Sequence, residues 1–342
     1  MDDATKSTES TVVDAADATD GDAAAAPTPG ARSRIGQLFL NYGMVVVLVI
    51  FVIIARVAYE DFFTLNNVSN LFSQVAPEAI VALGMTLLLI SGGFDLSVGS
   101  IFGAASVVFA TTSMQMPLWL SALVSLAVGV LCGIINGLIV TGLKVNAFIA
   151  TLGTSSLFMG AAFVYSNSTA VFSDAPGFTT LGNGQFLGIW ITVWVLLVAG
   201  VIFAFVLSRT PYGRSVFAVG GNLEAARMSG IRVNVIRIST FAITGLCAAM
   251  GGMFVASQTG TGQAILGGNV TLDAVTIVVI GGTSLFGGQG AMWRTAIGIL
   301  IWGTVTNIFS VLAMGTATQI LIQGCVLLFA VGLQSISLMR KR

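Results

Sequence analysis

GRSVFAVGGNLEAARMSGIRVN, at residues 213–234, is the longest polar interruption in an apolar run that extends from Ile35 to Leu338. Five of the chain's fourteen basic residues lie in or beside this stretch: Arg209, Arg214, Arg227, Arg232 and Arg237. Loops rich in Lys and Arg stay on the cytoplasmic side of a membrane. The stretch therefore predicts an all-α polytopic membrane protein with a cytoplasmic loop at residues 209–237.

A short surface helix is predicted within this loop, at residues 222–231 (NLEAARMSGI). Asn222 suits the N-cap, Glu224 the positive first turn and Gly230 the helix stop. Glu224 and Arg227 are three residues apart, a pairing worth about 0.2–0.5 kcal/mol. The apolar residues of the segment would form its underside: Leu223, Ala226 and Ile231. Such a helix can lie on a membrane protein and present its polar face to a partner.

Composition excludes several classes of protein. Hydrophobic residues make up 56% of the chain and charged residues 8%, against roughly 25% charged residues in soluble domains. The chain has no histidine, and Cys132, Cys247 and Cys325 are far apart, so no metal cluster is predicted. No lysine belongs to a phosphate-binding loop, and no catalytic set of side chains is recognisable. We therefore expect no catalytic residue, no cofactor and no metal, and a chain that cannot hydrolyse ATP by itself.

The first 34 residues differ from the rest. Seven of the chain's fourteen acidic residues lie within the first 30, among Ala, Thr and Ser and without apolar periodicity. Such a segment cannot bury enough apolar surface to order itself. We expect a disordered acidic cytoplasmic tail at residues 1–34, followed by a transmembrane domain at residues 35–342.

Ten apolar stretches approach the roughly 20 residues that cross a bilayer. They lie at residues 36–58, 75–92, 96–113, 117–141, 146–166, 187–208, 236–257, 272–287, 291–312 and 317–338. The stretches at 75–92 and 272–287 are short or interrupted by glycine, so each is either a span or a re-entrant segment. With the N-terminus inside, twelve basic residues from Arg32 onward lie on the cytoplasmic side and Arg56 lies outside. The positive-inside rule therefore predicts cytoplasmic N- and C-termini.

Acidic residues also lie beside the apolar segments. Asp95 and Ser97 lie between two of these segments, Asp273 lies near the start of another, and Pro77-Glu78 is interpreted as a helix start in an outward loop. A carboxylate deep in hydrocarbon costs about 2.5–3.5 kcal/mol. Each aspartate is therefore either a helix cap or a group facing a polar cavity, and the cap is favoured for both, with Ser97 sharing the role of Asp95.

Other polar residues on the predicted spans could line a path for a hydroxyl-rich solute: Asn136, Asn146, Thr151, Ser155, Asn307, Gln319 and Gln323. Hydrogen bonds between membrane helices are worth about 0.6 kcal/mol on average, and such structural bonding is the default interpretation for each residue. The functional alternative is a translocation pathway with these candidates: Asp95, Ser97, Asn136, Asn146, Thr151 and Asp273.

Glu224, Ala225, Ala226 and Gly230 reproduce an EAA-x-x-x-G pattern, which resembles the ATPase-docking loop of permease subunits in ABC importers. The alternative interpretation is an ordinary cationic loop that only fixes topology. Four stretches in one order are similar to the ribose-type monosaccharide permeases of ABC importers: GMTLLLISGGFDLSVGS (84–100), VNAFIATLGTSSLFMG (145–160), the 213–234 stretch and AVTIVVIGGTSLFGGQG (274–290).

The resemblance implies a type II importer permease of about ten transmembrane helices in the cell (inner) membrane. Its implied partners are an ABC ATPase subunit with two nucleotide-binding domains, an extracytoplasmic sugar-binding protein and a second copy of the permease. Residues 224–230, with Arg227 among them, would dock in the ATPase, whose closure would move the spans that end at Ser208 and begin at Asn234. The acidic tail has no counterpart in the family pattern.

Two alternatives stay open from the sequence. The chain resembles, more distantly, permeases for autoinducer sugars and for branched-chain amino acids, so the solute is less secure than the transporter class. A secondary carrier driven by an ion gradient is the other class, and it would use ionisable groups near the membrane midplane. In this chain only Asp95 and Asp273 approach that role.

Overall fold

The computed structural model describes the backbone of residues 31–339 and the side-chain environment of residues 43–328 and 332. The described helices are α1 (Ala31–Ala58), α2 (Leu65–Ile90), α3 (Val98–Ser113), α4 (Leu118–Gly142), α5 (Ala147–Tyr165), α6 (Thr180–Asn183), α7 (Ile191–Arg209), α8 (Pro211–Gly221), α9 (Leu223–Met228), α10 (Val233–Thr259), α11 (Val270–Ile280), α12 (Met292–Val311) and α13 (Thr316–Met339). The described strands are β1 (Val171–Phe172), β2 (Gln185–Phe186), β3 (Ile189–Trp190) and β4 (Thr261–Gly262).

The chain divides into a first unit at residues 1–41 and a second at residues 42–342. Residues 1–30 of the predicted acidic tail lie outside the described residues, as do Arg340, Lys341 and Arg342. Residues 31–34, which were also assigned to the tail, are helical.

Six described helices are long and apolar enough to cross a membrane: α2, α4, α5, α7, α10 and α12. Four shorter apolar segments accompany them: Gly43–Ala58, α3, α11 and Thr316–Leu328. Each of the ten predicted stretches coincides with one of these ten, which confirms an all-α polytopic membrane protein. The number of complete crossings stays a prediction.

The stretches at 75–92 and 272–287, each interpreted as either a span or a re-entrant segment, differ in the structure. α2 has 26 residues, long enough to span. α11 has 11 residues, or about 17 Å of helix, against a hydrocarbon layer of about 30 Å. The length of α11 therefore favours a re-entrant segment at 272–287.

The predicted helix start at Pro77-Glu78 is wrong, because α2 begins at Leu65 and Pro77 lies inside it. A proline inside a helix removes the N–H bond to the carbonyl four residues earlier, here that of Ser73. Gln258 Nε2 of α10 donates to this carbonyl at 3.4 Å. A neighbouring helix therefore satisfies the freed carbonyl, as a membrane environment requires.

α10 is the central helix and packs against α2, α3 and α4. Its contact with α4 runs along small residues, and a Cβ atom added at Gly245 would overlap the carbonyl oxygen of Gly129. Backbones of membrane helices approach this closely where neither face carries a side chain. The close α4–α10 contact agrees with the high glycine content of the sequence.

The helix ends form two groups. At one end, the Gly288 N–H donates to the Ile90 carbonyl at 2.9 Å, and Gly220 lies against both residues. At the other end, β1 pairs with β4 in an antiparallel ladder. The first group joins loops that were predicted to be cytoplasmic, and the second joins loops that were predicted to face outward. These two groups agree with the alternation of the predicted spans, whereas the starts of α3 and α11, which were predicted on opposite sides of the membrane, are hydrogen-bonded to each other.

Between α10 and α11 the chain returns along α3 at residues 260–269, a segment that is irregular apart from β4. Ser106 of α3 contacts this segment twice: its Oγ donates to the Gln263 carbonyl at 3.1 Å and accepts from the Gln263 N–H at 3.2 Å. Farther along, the Gly99 N–H donates to Thr271 Oγ1 at 3.1 Å. Because Gly99 and Thr271 lie in the first turns of their helices, α3 and α11 begin beside each other.

Candidate coupling helix and translocation residues

The residues predicted to start and to stop α9, Asn222 and Gly230, do so in the structure. At the start, Asn222 is the N-cap, and its Oδ1 accepts from the Ala225 N–H at 3.0 Å. At the finish, the Gly230 N–H donates to the Arg227 carbonyl at 3.0 Å and the Ile231 N–H to the Ala226 carbonyl at 3.1 Å. These two bonds form a Schellman motif, which needs the left-handed φ of 79° at Gly230. The motif ends the helix at Met228, three residues earlier than predicted.

The underside of α9 packs on the rest of the protein. Ala226 is 4% exposed and lies in a cluster with Val219 and Val233, which Leu223 and Ile231 complete at the edge. The opposite face is exposed, at Glu224, Ala225, Arg227 and Met228. Met228 is 87% exposed. α9 is therefore fixed to the protein on one side and free on the other.

α8 was not predicted, although the sequence carries a signal for it. Thr210 is the N-cap, its Oγ1 accepts from the Gly213 N–H at 3.2 Å, and Pro211 occupies the first turn. Proline is favoured at this position because its missing N–H would have no partner there. The Tyr212 hydroxyl lies 2.8 Å from Ser239 Oγ of α10. Burial raises the pKa of Tyr212, so its hydroxyl stays neutral and joins α8 to α10.

A cavity of about 350 Å³ lies between α9, the end of α4 and the start of α10. Its charged lining consists of Lys144, Glu224, Arg227 and Arg237. Arg227 Nη1 and Glu224 Oε1 are 3.4 Å apart on the exposed face, and a pair of this kind is worth about 0–1 kcal/mol. The positive lining agrees with the prediction that this end faces the cytoplasm.

Asp95 belongs to a buried cluster with Ser97 and Asn136, all 0% exposed. Asp95 Oδ1 accepts from the Ser97 N–H and from Ser97 Oγ, each at 2.7 Å. Asn136 Nδ2 of α4 donates to Asp95 Oδ2 at 3.1 Å and to Ser97 Oγ at 2.7 Å. The N-cap of α3 is Ser97, one of the two residues predicted to share this role, whereas Asp95 is not the N-cap. Asp95 instead holds the N-cap residue in place.

Threonines from other helices complete the start of α3. The Leu96 N–H donates to Thr151 Oγ1 of α5 at 3.0 Å, and the Gly99 N–H donates to Thr271 Oγ1 of α11. The Ser97 N–H is bound to Asp95. The backbone N–H groups of Leu96, Ser97 and Gly99 therefore each have a side-chain acceptor, although N–H groups at a helix start have no partner within the helix. α3 is therefore capped mainly by groups from outside its own first turn.

The other candidates on the spans also make structural bonds. Asn146 is the N-cap of α5, where its Oδ1 accepts from the Phe148 N–H at 2.8 Å. The Ser155 hydroxyl lies 2.7 Å from that of Ser100. The side chain of Asn307 exchanges hydrogen bonds with that of Asn67, at 3.0 and 3.2 Å. A role for these residues in a pathway stays a prediction.

Asp273 is not the N-cap of α11, contrary to the favoured prediction. The helix begins three residues earlier, at Val270, after the N-cap Asn269, which makes no side-chain cap bond. Asp273 is 5% exposed and lines a cavity of about 400 Å³ with Glu78 of α2. The sequence interpretation placed Glu78 at a helix start in an outward loop, because the first ten residues of α2, 65–74, were not recognised as helical. Gln319 and Gln323 of α13 line the same cavity.

Comparison with known proteins shows the family to which this chain belongs. Residues 67–331 match a family described as branched-chain amino acid transport system, permease component. The chain belongs to this family of transport permeases. The permease is 37% identical to the ribose import permease protein RbsC of Haemophilus influenzae over 303 residues, which are 87% of this chain and 94% of that protein.

Other relatives agree with this assignment. The permease is 37% identical to RbsC of Bacillus subtilis over 288 residues, 83% of this chain and 89% of that protein. It is 35% identical to the L-arabinose transport system permease protein AraH of Escherichia coli K12 over 304 residues, 89% of this chain and 93% of that protein. No solved structure matches the permease. Membership of the family confirms the resemblance predicted from the four stretches and identifies a multi-pass membrane transport subunit, not an enzyme.

Proposed function

We propose that this permease is the membrane-spanning subunit of an ATP-driven ABC importer that carries a monosaccharide, ribose-like in size and polarity, into the cytoplasm. The observation that carries the proposal is α9, which presents Glu224, Ala225 and Arg227 on an exposed face while Ala226 packs its underside on the protein. Relatives named as ribose and arabinose import permeases support the choice of a sugar. The sequence contains no phosphate-binding loop, so the energy comes from a separate subunit.

Three partners follow from this function. An ATPase subunit with two nucleotide-binding domains docks on α9, and an extracytoplasmic sugar-binding protein delivers the solute at the opposite end. A second copy of the permease completes the assembly, with the N- and C-termini in the cytoplasm and the acidic tail before the first span. The proposed coupling residues are Glu224, Ala225, Ala226, Arg227 and Gly230.

The coupling residues have two kinds of role. Glu224, Ala225 and Arg227 are exposed and would contact the ATPase directly. Ala226 and Gly230 would act indirectly, because Ala226 packs α9 on the protein and Gly230 forms the turn that ends it. Among the pathway candidates, we assign solute contact to Asp273, which lines a cavity. The others would hold the helices around it: Asp95, Ser97, Asn136, Asn146 and Thr151.

Substitutions on α9 test this function. Glu224→Lys reverses a charge on the exposed face, and Gly230→Asp places a β-carbon at a left-handed φ. We expect both variants to insert normally but to lose sugar uptake by about tenfold or more, since about 1.4 kcal/mol of docking free energy corresponds to tenfold. Gly221→Ala, in the same loop at a site with open space, is the matched control and keeps wild-type uptake.

The measurements are co-purification with the ATPase subunit and ATP-dependent uptake in proteoliposomes. Normal co-purification and normal uptake by both variants would refute the docking role of α9. Uptake by the permease alone, without any ATPase, would refute an ATP-driven importer and favour a carrier driven by an ion gradient.

A further inference from the structure

The cavity beside Asp273 is lined by polar groups from four parts of the chain. Its volume of about 400 Å³ lies within the roughly 300–1,000 Å³ that is usual for small-molecule sites. The side chains that can hydrogen-bond a ligand include Gln74, Glu78, Asn269, Asp273, Gln319 and Gln323. Four amides and two carboxylates thus face one space inside a largely apolar protein.

Asp273 lacks a partner of its own. It is 5% exposed, and within the part of the chain that the structure describes its carboxylate accepts no hydrogen bond. The helix that carries Asp273, α11, continues into the apolar core, where Ala274, Ile277 and Val278 are 0% exposed. A buried carboxylate without a partner is costly, and in membrane proteins such groups face functional sites. The carboxylate is therefore available to a ligand in the cavity.

Glu78 is held in a fixed position by a neighbour. Trp302 of α12, 0% exposed, donates from its indole Nε1 to Glu78 Oε2 at 3.1 Å. An indole nitrogen has one proton to donate, and a carboxylate has two oxygens with about four acceptor positions. Glu78 therefore keeps acceptor positions for a second donor, while Trp302 acts as a positioning residue.

The cavity lies toward the end of the protein that is predicted to face outward. Thr306 and Ser310 belong to the last two turns of α12, and Gln319 and Gln323 to the first two turns of α13. Both of these helix ends are predicted to be extracytoplasmic. Glu78 lies 13 residues into α2, about 20 Å along the helix. A ligand that entered from outside would therefore reach the carboxylates part-way through the membrane.

We propose that this cavity binds a neutral, monosaccharide-sized polyol, with Glu78 and Asp273 as hydrogen-bond acceptors and the amides of Gln319 and Gln323 as donors. This inference rests on the proposed importer function and names the solute site within it. Sugar hydroxyls donate and accept, so they match a lining that offers both carboxylates and amides. The bonds to carboxylate oxygens would be charge-assisted and stronger than neutral ones.

Other small solutes fit the lining less well. A bare cation would use the carboxylate and amide oxygens but would leave the amide N–H groups without an acceptor, so the test includes sodium chloride. An anion such as a sugar phosphate would be repelled by Glu78 and Asp273. A zwitterionic amino acid such as leucine is the strongest competitor, so the test includes it.

Uptake by the complete complex is the first measurement. The permease is assembled with its ATPase and binding protein in proteoliposomes, and uptake of radiolabelled D-ribose is followed. Glu78→Gln and Asp273→Asn each remove one charged acceptor with almost no change in shape. We expect uptake efficiency to fall about tenfold or more, the loss associated with one hydrogen bond to a charged group. Glu60→Gln, an exposed carboxylate outside the cavity, keeps wild-type uptake.

Protection from a thiol reagent is the second measurement, and it needs neither ATPase nor binding protein. Gln323→Cys is labelled with a membrane-impermeant maleimide in a Cys325→Ser background, because Cys325 is exposed while Cys132 and Cys247 are buried. We expect D-ribose at high concentration to slow the labelling, and leucine and sodium chloride at the same concentration to leave it unchanged. Ile320→Cys, an exposed apolar position on the same helix, is the control and is not protected.

The two measurements distinguish a failure of the proposed polyol site from a failure of the proposed importer function. Wild-type uptake by both carboxylate variants, or protection by leucine rather than ribose, would overturn the polyol site even if the importer function stands. Protection by ribose without any ATP-driven uptake would support the site and refute the importer function.

Discussion

Asp95 and Asp273 lie near the starts of two short helices that begin side by side, yet their surroundings are opposite. Asp95, at the start of α3, is 0% exposed and accepts hydrogen bonds from Ser97 and Asn136. Asp273, in the first turn of α11, is 5% exposed, has no such donor among the described residues and borders a cavity of about 400 Å³. The same residue type is thus satisfied at one helix start and unsatisfied at the other.

The helix starts themselves differ in the same way. The backbone donors around the start of α3 are taken by Asp95, Thr151 and Thr271. The start of α11 has no side-chain cap, and its N-cap residue Asn269 lines the cavity. Side chains from neighbouring helices accept the backbone donors at the start of α3, although Asn136 Oδ1 has no hydrogen-bond partner among the described residues. The N–H groups of Val270 and Asp273 bond to the backbone carbonyls of Gly267 and Asn269, so the start of α11 is held by its own backbone without a side-chain cap.

The largest effect is expected from Asp95→Ala. The substitution leaves the N–H and hydroxyl of Ser97 without their acceptor and removes the bond from Asn136 Nδ2 to Asp95, leaving that amide only its bond to Ser97 Oγ. At about 1–3 kcal/mol for each unsatisfied buried group, the free energy of unfolding should fall by roughly 3 kcal/mol or more. Asp95→Asn keeps one acceptor oxygen and should lose about half as much. Thermal unfolding in detergent measures the stability of both variants. An Asp95→Ala variant that unfolds at the wild-type temperature would show that Asp95 is no more important for stability than Asp273.

A smaller effect is expected from Thr271→Val, which tests the link between the two helix starts. The Thr271 hydroxyl accepts from the Gly99 N–H at 3.1 Å and donates to the Leu96 carbonyl at 3.4 Å. Losing it should lower the free energy of unfolding by about 1–2 kcal/mol. Thr111→Val is the control, because that hydroxyl bonds to a carbonyl of its own helix, that of Val107, and should change stability by only a few tenths of a kcal/mol. Equal losses from the two variants would show that α3 does not depend on α11 for its cap.

The smallest effect on stability is expected from Asp273→Asn. The amide has nearly the shape of the carboxylate, and the substitution removes a buried charge that has no donor of its own. The free energy of unfolding should change by less than about 1 kcal/mol, toward greater stability. The same unfolding measurement checks this. A loss as large as that of Asp95→Ala would mean that Asp273 is a structural residue after all.

Sequence patterns predicted the local features of this permease well. The N-cap at Asn222, the stop at Gly230 and the apolar underside of α9 are each decided within ten residues, and the structure has all three. The apolar stretches were located because hydrophobicity alone defines a membrane segment. α8 is an exception, since its Thr210-Pro211 start was present in the sequence but not used.

The cavity was not predictable in the same way, because its lining comes from distant parts of the chain. Glu78 and Asp273 are almost 200 residues apart, and only the packing of α2 against α11 brings them to one space. Asp95 and Asp273 also looked alike in the sequence, since both lie beside apolar segments and a helix start. Their difference depends on the donors Ser97 and Asn136, which reach Asp95 and not Asp273, and Asn136 comes from another helix.

α10 has a consequence for how the two ends of the protein communicate. It starts at Val233, in the cluster that seats α9, and runs without interruption to Thr259. Its 27 residues make a rod of about 40 Å, and the chain leaving its far end becomes the segment that contributes Asn269 and Asp273 to the cavity wall. A displacement of α9 would thus be carried along one continuous helix to Thr259, and from there only the ten residues 260–269 separate it from α11 and the cavity wall.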